Sequence, residues 1–336
     1  MAVYTTIDNP ELYFQVELYS GTGSGLSATF DGDENMQPTL VWIKNRDTTD
    51  NHMLYDSVRG TGARVKPNLD QAEGDDESNG VSSFDSDGFT IGTKAAINTS
   101  GENCVAWCWK ESADAGFDIV TYTGNGSART ISHSLSAVPK YYVVKQRNST
   151  GGWIVYHVGN TSSPETDYLR GDKTDATVDD AIFNDTAPTS SVFSVGTNAP
   201  VNGSDDTYVT YLFAEKQGYS KFGSYSGNGS TDGPMIYLGF RPAMFLIKRT
   251  NATEQWEIVD NKRSVDNPVN DVLVPNGTDA EVAAATGNRI YCDFLANGVK
   301  LRGNASSANE NGGTFIYMAF AEQPFVNSNG VPCNAR

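Results

Sequence analysis

Short apolar runs separated by turn-forming residues dominate this chain. One of them, Tyr142-Val143-Val144, follows Pro139 after two residues and ends at Lys145. A run of this length that is rich in β-branched and aromatic residues predicts a buried strand rather than a helix. The proline fits the first position of such a strand, where its missing N–H costs no ladder hydrogen bond.

The same pattern occurs three times, because Val41–Lys44 and Phe245–Lys248 also follow a proline and end in lysine. Other blocks recur around it in a fixed order, including a Gly-x-Gly-Ser segment upstream and an aromatic strand at the end. The first glycines of the Gly-x-Gly-Ser segments are spaced by 103 residues in both intervals: Gly21, Gly124 and Gly227. Ordered blocks at one spacing predict three copies of one domain.

The fold class expected is all-β, with three tandem, structurally similar β-sandwich repeats of jelly-roll type. A repeat of about 103 residues is long enough for its own core and too long for a solenoid repeat. The 33 glycines and the many Ser, Asn and Asp residues indicate frequent turns, and no window shows helical periodicity. We expect an N-terminal arm (1–10), repeats at 11–112, 113–216 and 217–324, and a tail (325–336). Linkers of a few residues predict that the repeats pack together.

The net charge of −17 changes the picture of possible partners. Nucleic acids and anionic membranes select basic surfaces, so neither is expected here. No apolar run has membrane-spanning length, and the N-terminus lacks the features of a secretory signal. We therefore predict no nucleic-acid binding and no membrane insertion.

Four cysteines do not predict a disulfide framework. Cys104 and Cys108 are four apart on one predicted strand, so their Cα atoms lie ~13 Å apart. A disulfide needs less than ~7 Å. We expect free thiols, as in a protein assembled in a reducing cytosol, and a melting temperature that does not respond to reducing agent.

No constellation of candidate catalytic residues recurs in the three predicted repeats. The three histidines, His52, His133 and His157, lie at non-equivalent places, and no serine has a nucleophile-elbow context. The Gly-x-Gly-Ser segments lack the third glycine and the helix of a nucleotide loop, which favours a hairpin or bulge. The 41 acidic residues could form an accidental acidic pair. We expect no catalytic residue, no cofactor and no metal, and hence a protein that is not an enzyme.

Three features are candidates for binding. Trp153 and Trp256 share one position, at which the first repeat has His52; these side chains could stack on a sugar at a loop rim or cap the core. Lys44, Lys145 and Lys248 recur with Arg46 and Arg147, which predicts an ion-pair ladder or, alternatively, an anion- or sugar-binding edge. The acidic segment 70–77 fits a solvated loop better than a calcium site, because its spacing matches no EF-hand.

Seven segments spread over nearly the whole chain form a specific combination: Thr5–Pro10, Tyr13-Phe14, Val41–Arg46, Asp56–Gly60, Phe84–Phe89, Trp153–His157 and Ala319–Glu322. Together they resemble uncharacterised virion proteins from tailed phages of marine bacteria and cyanobacteria, labelled tail-fibre or structural proteins. It implies no catalytic residues.

We therefore expect a virion structural protein that is assembled in the host cytoplasm and displayed on the particle surface. The first expectation is a tail-fibre or adhesin component for host attachment, because repeated weak sites on one body raise avidity. A capsid-surface decoration (cement) protein is the alternative, and a polysaccharide depolymerase with an unshared acidic pair is a third. The partners implied are other virion proteins and a host surface glycan or receptor, and we expect a homo-oligomer.

Overall fold

The computed structural model describes residues 4–284 and 288–334. We call residues 11–112, 113–216 and 217–324 units 1, 2 and 3. Strands dominate each unit, which confirms the all-β prediction, and the helices named below are single turns. The 3₁₀ turns are Pro10–Leu12, Glu77–Asn79, Pro164–Thr166 and Ala181–Phe183.

The elements of unit 1 are β1 (Phe14–Ser20), β2 (Leu26–Ala28), β3 (Leu40–Asn45), β4 (Met53–Asp56), β5 (Ala63–Val65), β6 (Gly74–Asp75), β7 (Val81–Asp85), β8 (Gly88–Ile91), α1 (Ala95–Asn98) and β9 (Asn103–Trp109). Those of unit 2 are β10 (Phe117–Thr123), β11 (Arg129–Ser132), β12 (Tyr141–Gln146), β13 (Trp153–His157), β14 (Asp167–Arg170), β15 (Val178–Asp179), β16 (Val192–Val195), α2 (Ala199–Asn202) and β17 (Thr207–Phe213). Those of unit 3 are β18 (Ser220–Ser226), β19 (Met235–Tyr237), β20 (Phe240–Arg249), β21 (Trp256–Asp260), β22 (Asp271–Val272), β23 (Val282–Ala283), β24 (Cys292–Leu295), β25 (Gly298–Leu301), α3 (Ser306–Asn309) and β26 (Thr314–Pro324).

Each unit has a main antiparallel sheet, and the strand order corresponds from unit to unit. The orders are β1-β9-β3-β4-β5-β6, β10-β17-β12-β13-β14-β15 and β18-β26-β20-β21. The strands predicted to be equivalent, β3, β12 and β20, lie between the closing strand and the next hairpin strand in every case. Their registers also correspond, since Leu40 pairs with Trp109, Tyr141 with Phe213 and Met244 with Phe320.

A smaller sheet covers the outer face of each main sheet, as expected for sandwiches. The small sheets are β2-β8-β7 in unit 1, β11-β16 in unit 2 and β19-β25-β24 in unit 3. In unit 1 the core between the two sheets joins Val41 and Ile43 to Phe89 and Ile91. Units 2 and 3 have corresponding cores of their own.

The inner faces of the three main sheets meet in a fourth core, which belongs to no single unit. Along β9, Cys104, Ala106 and Cys108 face the core of unit 1. The alternate residues Val105, Trp107 and Trp109 face the shared core. Because both faces are buried, these strands appear in the sequence as continuous apolar runs instead of alternating ones.

The three units form a closed ring around this shared core. The last aromatic residues of the closing strands, Trp109, Phe213 and Phe320, contact one another pairwise, with ring centroids 6.1, 5.6 and 5.8 Å apart. Edge-on packing of this kind is favourable for aromatic rings. We call Trp109, Phe213 and Phe320 the axial plug.

Short linkers join unit 1 to unit 2 and unit 2 to unit 3, whereas the seam between units 3 and 1 is closed without a covalent linker. The N-terminal arm crosses this seam: Thr5 Oγ1 donates to Gln217 O at 2.8 Å and Tyr4 Oη donates to Gly239 O at 2.8 Å. Asp8 also accepts a hydrogen bond from Ser328 N at 2.6 Å. The arm thus fastens the start of the chain to its end.

The cysteines agree with the sequence expectation. Cys104 and Cys108 point to the same side of β9 and are buried in the core of unit 1, and all four cysteines are free. Within the described residues, no helix is long and apolar enough to cross a membrane.

Candidate functional site

The residues singled out for binding lie at the junctions between units. His52 comes directly before β4, while Trp153 and Trp256 begin β13 and β21. Their exposed fractions are 0%, 4% and 2%. The structure therefore places all three inside the ring rather than on a loop rim.

Each of these side chains bonds to the backbone of the neighbouring unit. Trp153 Nε1 donates to Lys66 O at 2.9 Å and to Leu69 O at 3.0 Å, from unit 2 to unit 1. Trp256 Nε1 donates to Arg170 O at 2.9 Å, from unit 3 to unit 2. His52 Nε2 lies 3.0 Å from Val274 O, from unit 1 to unit 3.

His52 donates through Nε2, because its Nδ1 accepts a hydrogen bond from Trp42 Nε1 at 3.0 Å. Burial lowers the pKa of His52 to about 3, so the ring is neutral near pH 7. One position thus performs one task at all three junctions. Of the two alternatives for Trp153, Trp256 and His52, stacking on a sugar at a loop rim does not fit these positions, since no ring face is open to solvent. These contacts match the alternative in which the side chains pack in the interior.

The expected lysine ladder is wrong. Lys44, Lys145 and Lys248 are fully buried and donate to backbone carbonyls instead of pairing with carboxylates across strands. Lys145 Nζ bonds to Gln146 O at 2.6 Å and Gly151 O at 2.8 Å. Lys248 Nζ reaches across a junction to Thr174 O at 3.1 Å. Burial lowers the pKa of each lysine to about 8, and none is available as an anion-binding edge.

A chain of buried and half-buried charges crosses the junction between units 1 and 2. Asp56, at the end of β4, bonds to Arg59 Nε at 2.5 Å, and Arg59 Nη1 lies 2.7 Å from Glu73 Oε2. Glu73 Oε1 in turn lies 2.9 Å from Arg147 Nη2 of unit 2. Tyr211 of unit 2 donates to Asp56 Oδ2 at 2.7 Å. Burial alone would raise the pKa of Glu73, but the arginine hydrogen bonds outweigh burial and lower it.

The seam between units 3 and 1 has the same arrangement. Asp260 Oδ2 bonds to Arg263 Nε at 2.6 Å, and Arg263 Nη1 lies 3.0 Å from Glu281 Oε2. Glu281 Oε1 lies 2.6 Å from Arg46 Nη2 of unit 1. Trp107 of unit 1 donates to Asp260 Oδ2 at 3.0 Å, in the place that Tyr211 takes at the other junction.

The junction between units 2 and 3 is different, because His157 stands where the others have aspartate. His157 Nε2 lies 2.9 Å from Tyr317 O of unit 3, and Nδ1 accepts from Gly159 N at 2.9 Å. Nε2 is therefore the donor. Burial lowers the pKa of His157 to about 4, so this ring is also neutral. Within the described residues, no ion pair joins units 2 and 3.

The acidic segment 70–77 is not a solvated loop over its whole length. Glu73 belongs to the charge chain just described, and Asp76 accepts from Tyr55 Oη and Lys94 Nζ at 2.8 Å each. In the described part of the chain, no group of three or more His, Cys, Asp or Glu residues is placed to hold a metal ion.

An acidic pair lies at the linker between units 1 and 2. Burial, followed by a side-chain hydrogen bond with Asp118, raises the pKa of Glu111 to about 7. Glycoside hydrolysis needs carboxyl groups ~5 to 9.5 Å apart so that the sugar or a water fits between them. Glu111 and Asp118 are in direct contact and do not provide that gap.

Three buried asparagines were missed in the sequence, and they explain the Gly-x-Gly-Ser segments. Asn98, Asn202 and Asn309 end the helices α1, α2 and α3, and each is fully buried. The side-chain amide of each donates to a carbonyl of its Gly-x-Gly-Ser segment, and its oxygen accepts from the backbone N–H of the residue after the first glycine. The signal in the sequence was an asparagine that recurs shortly before each closing strand.

What this arrangement can do chemically is hold a ring together.

The family described as Domain of unknown function (DUF7483) matches residues 9–324. The chain belongs to this family. The match includes all three units, so the DUF7483 domain corresponds to the whole ring and not to one sandwich. No curated protein matches the chain.

Proposed function

We propose that this DUF7483 protein is a non-catalytic structural protein of a virion, and that it serves in a tail fibre as a rigid body for host-surface attachment. The sequence resemblance supports the virion assignment. The observation that carries the structural role is the use of the recurring residues. His52, Trp153 and Trp256 are buried in hydrogen bonds across the junctions, and the three lysines are buried in bonds to backbone carbonyls. Contact with the host surface is then made by the outer loops, which differ between units.

Rigidity is what attachment requires of such a body. Binding loops that are held in place by a stiff scaffold lose less entropy on contact than mobile loops do. Three sandwiches with shared strands and different loops present three different rims on one particle. Several weak contacts made at once raise avidity without one strong site.

Decoration of a capsid surface is the second candidate, and the ring itself favours it. Three similar units around one axis give the monomer an approximate threefold shape, which suits a threefold position on a symmetric shell. The negative charge is compatible with either location.

Immunogold labelling of purified particles tests both candidates. An antibody against this chain should label the tail fibres, and purified protein added to host cells should reduce particle adsorption. Labelling distributed over the capsid, with adsorption unchanged, would favour the decoration role. Particles that carry no label, although the protein is present in infected cells, would contradict both. Release of reducing ends from host glycan by the protein alone would contradict the non-catalytic part.

A further inference from the structure

A cavity of about 70 Å³ lies inside the shared core, next to the axial plug. All three units contribute to its wall through corresponding positions: Trp42, Val143 and Leu246 come from the central strands, and Pro67, Gly171 and Pro275 from the loops beyond. Trp153, Trp256, Trp109 and Phe213 also line it. The wall is apolar apart from the polar atoms of its aromatic side chains and the backbone.

The cavity results from the imperfect symmetry of the ring. Where unit 1 has Trp42, unit 2 has the smaller Val143, and where units 1 and 3 have proline, unit 2 has Gly171. Smaller side chains on one side of a packed core leave space that the surroundings fill only in part. Trp42, Tyr141 and Gly171 are the partly exposed members of the wall.

One residue of this wall, Trp109, has a buried polar atom without a structural explanation. Trp109 is 1% exposed, and its Nε1 has no hydrogen-bond partner among the described residues. The indole N–H groups of the other tryptophans all donate, to His52, Asp260, Lys66, Leu69 and Arg170. A buried donor without a partner destabilises the folded protein, because its lost hydrogen bonds to water are not replaced.

The axial plug does not need this donor. At the corresponding positions units 2 and 3 have Phe213 and Phe320, which pack in the same way without an N–H group. An indole at a position where phenyl rings suffice, beside an apolar cavity, therefore requires another reason.

We propose that the cavity is a binding site for a small molecule with an apolar body and one hydrogen-bond acceptor, which the indole N–H of Trp109 holds. Its size favours a short-chain ketone or alcohol of about four heavy atoms, since an apolar cavity that binds benzene has a volume of ~150 Å³, about twice as large. The ligand's oxygen accepts from Nε1, and its methyl groups contact Val143 and Leu246. This site is independent of the attachment role proposed above.

Acetone and xenon are the two probes that test the proposal, since acetone has an acceptor and xenon has none. Acetone added to the ¹⁵N,¹³C-labelled protein should shift the Trp109 indole proton and the Val143 methyl signals along a saturable curve. Xenon should shift the methyl signals alone, and acetone should displace it.

Two variants separate the apolar part of the site from the hydrogen bond. Val143→Leu introduces the residue that unit 3 has at this position, fills the cavity and should abolish binding of both probes. Trp109→Phe introduces the residue that the other units have at this position. It should weaken acetone binding up to about tenfold, because one hydrogen bond is lost, and leave the affinity for xenon unchanged. Tyr142→Phe removes another partnerless hydroxyl, in the separate core of unit 2, and should change neither titration.

Two results would overturn the proposal. The first is a linear, non-saturable response to acetone that is the same in Val143→Leu and in the unmodified protein. The second is equal acetone affinity in Trp109→Phe and the unmodified protein, which would remove the donor from the site. Trp109→Phe keeps the test decisive even if Val143→Leu does not fold.

Discussion

Two of the three junctions in the ring are ionic, and the third is neutral. At the ionic junctions a buried aspartate, Asp56 or Asp260, is satisfied by an arginine and by an aromatic donor from the neighbouring unit. At the neutral junction His157 makes a single bond to Tyr317 O. All three junctions use corresponding strands, so one geometry accepts either chemistry.

The difference between them shows what buried charge requires. An ion pair out of water is tolerated when each partner is fully bonded, and removing one partner leaves an uncompensated charge. Asp, Arg and the aromatic donor therefore have to occur as a set. Unit 3 has Met318 where the ionic junctions have Trp107 or Tyr211, and unit 2 correspondingly has neither the aspartate nor the arginine.

The largest effect is expected from breaking an ionic junction. Asp260→Asn removes one of the two carboxylates that Arg263 faces, and Glu281 remains. It should lower the free energy of unfolding by ~3 kcal/mol, the lower end of the range for a broken buried pair. Urea denaturation at pH 7 measures it, with the exposed Asp266→Asn as the control. A loss below ~1 kcal/mol would show that the buried pair is not needed.

The neutral junction should respond to acid. The folded pKa of His157, about 4, lies below the ordinary 6.5 of an unfolded chain. Stability is therefore complete above pH 6.5 and is lost as pH falls towards 4, by up to ~3 kcal/mol for this group. His157→Gln keeps a donor for Tyr317 O and should make the fall of stability with pH shallower. If the free energy of unfolding falls equally in His157→Gln and in the unmodified protein between pH 6.5 and 4, this expectation is contradicted.

The tryptophan at the junctions should matter through its N–H group. Trp153→Phe keeps an aromatic ring but loses the bonds to Lys66 O and Leu69 O, and should cost ~1 to 2 kcal/mol. Thermal and urea unfolding measure this loss. Trp256→Phe loses only one hydrogen bond, to Arg170 O, and should therefore lower the free energy of unfolding by less. If both variants are as stable as the parent but attach less to host cells, the side chains act in binding and not at the junctions.

The smallest effect concerns the outer end of a charge chain. Arg46 pairs with Glu281, but about a fifth of its side chain is exposed (21%), so solvent and salt weaken the pair. Arg46→Gln should cost ~0.5 to 1 kcal/mol, and the loss should shrink in high salt. A loss as large as that of Asp260→Asn would mean that the chain acts as one unit without an inner and an outer end.

The sequence predicted the strands well because each recurring block occurs three times, so chance matches were easily recognised. Val143 and Phe245 could be placed in central strands from pattern alone. The roles of Lys145 and Trp153 could not, since their partners, such as Gly151 O and Lys66 O, are backbone atoms that leave no trace in residue type. A shared core between units was also invisible, because continuous apolar runs have the same appearance whichever neighbour buries them.

The corresponding residues Asp56, His157 and Asp260 show most clearly what could not be predicted from the sequence. In the sequence, Arg59 follows Asp56 and Arg263 follows Asp260 by three residues, whereas unit 2 has His157 and Asn160 at these positions. This spacing does not reveal the contacts with Tyr211, Trp107 and Tyr317, which lie in other units.

The open seam between units 3 and 1 sets the order in which the ring is completed during synthesis. Units 1 and 2 can join as soon as both have left the ribosome. Arg46 and Trp107 of unit 1, however, find their partners Glu281 and Asp260 only when the last third of the chain has been made. Until then the nascent chain has an open apolar face, and such faces are the ones that associate wrongly when chains are crowded. Translation speed through unit 3 therefore determines how long each new molecule remains exposed.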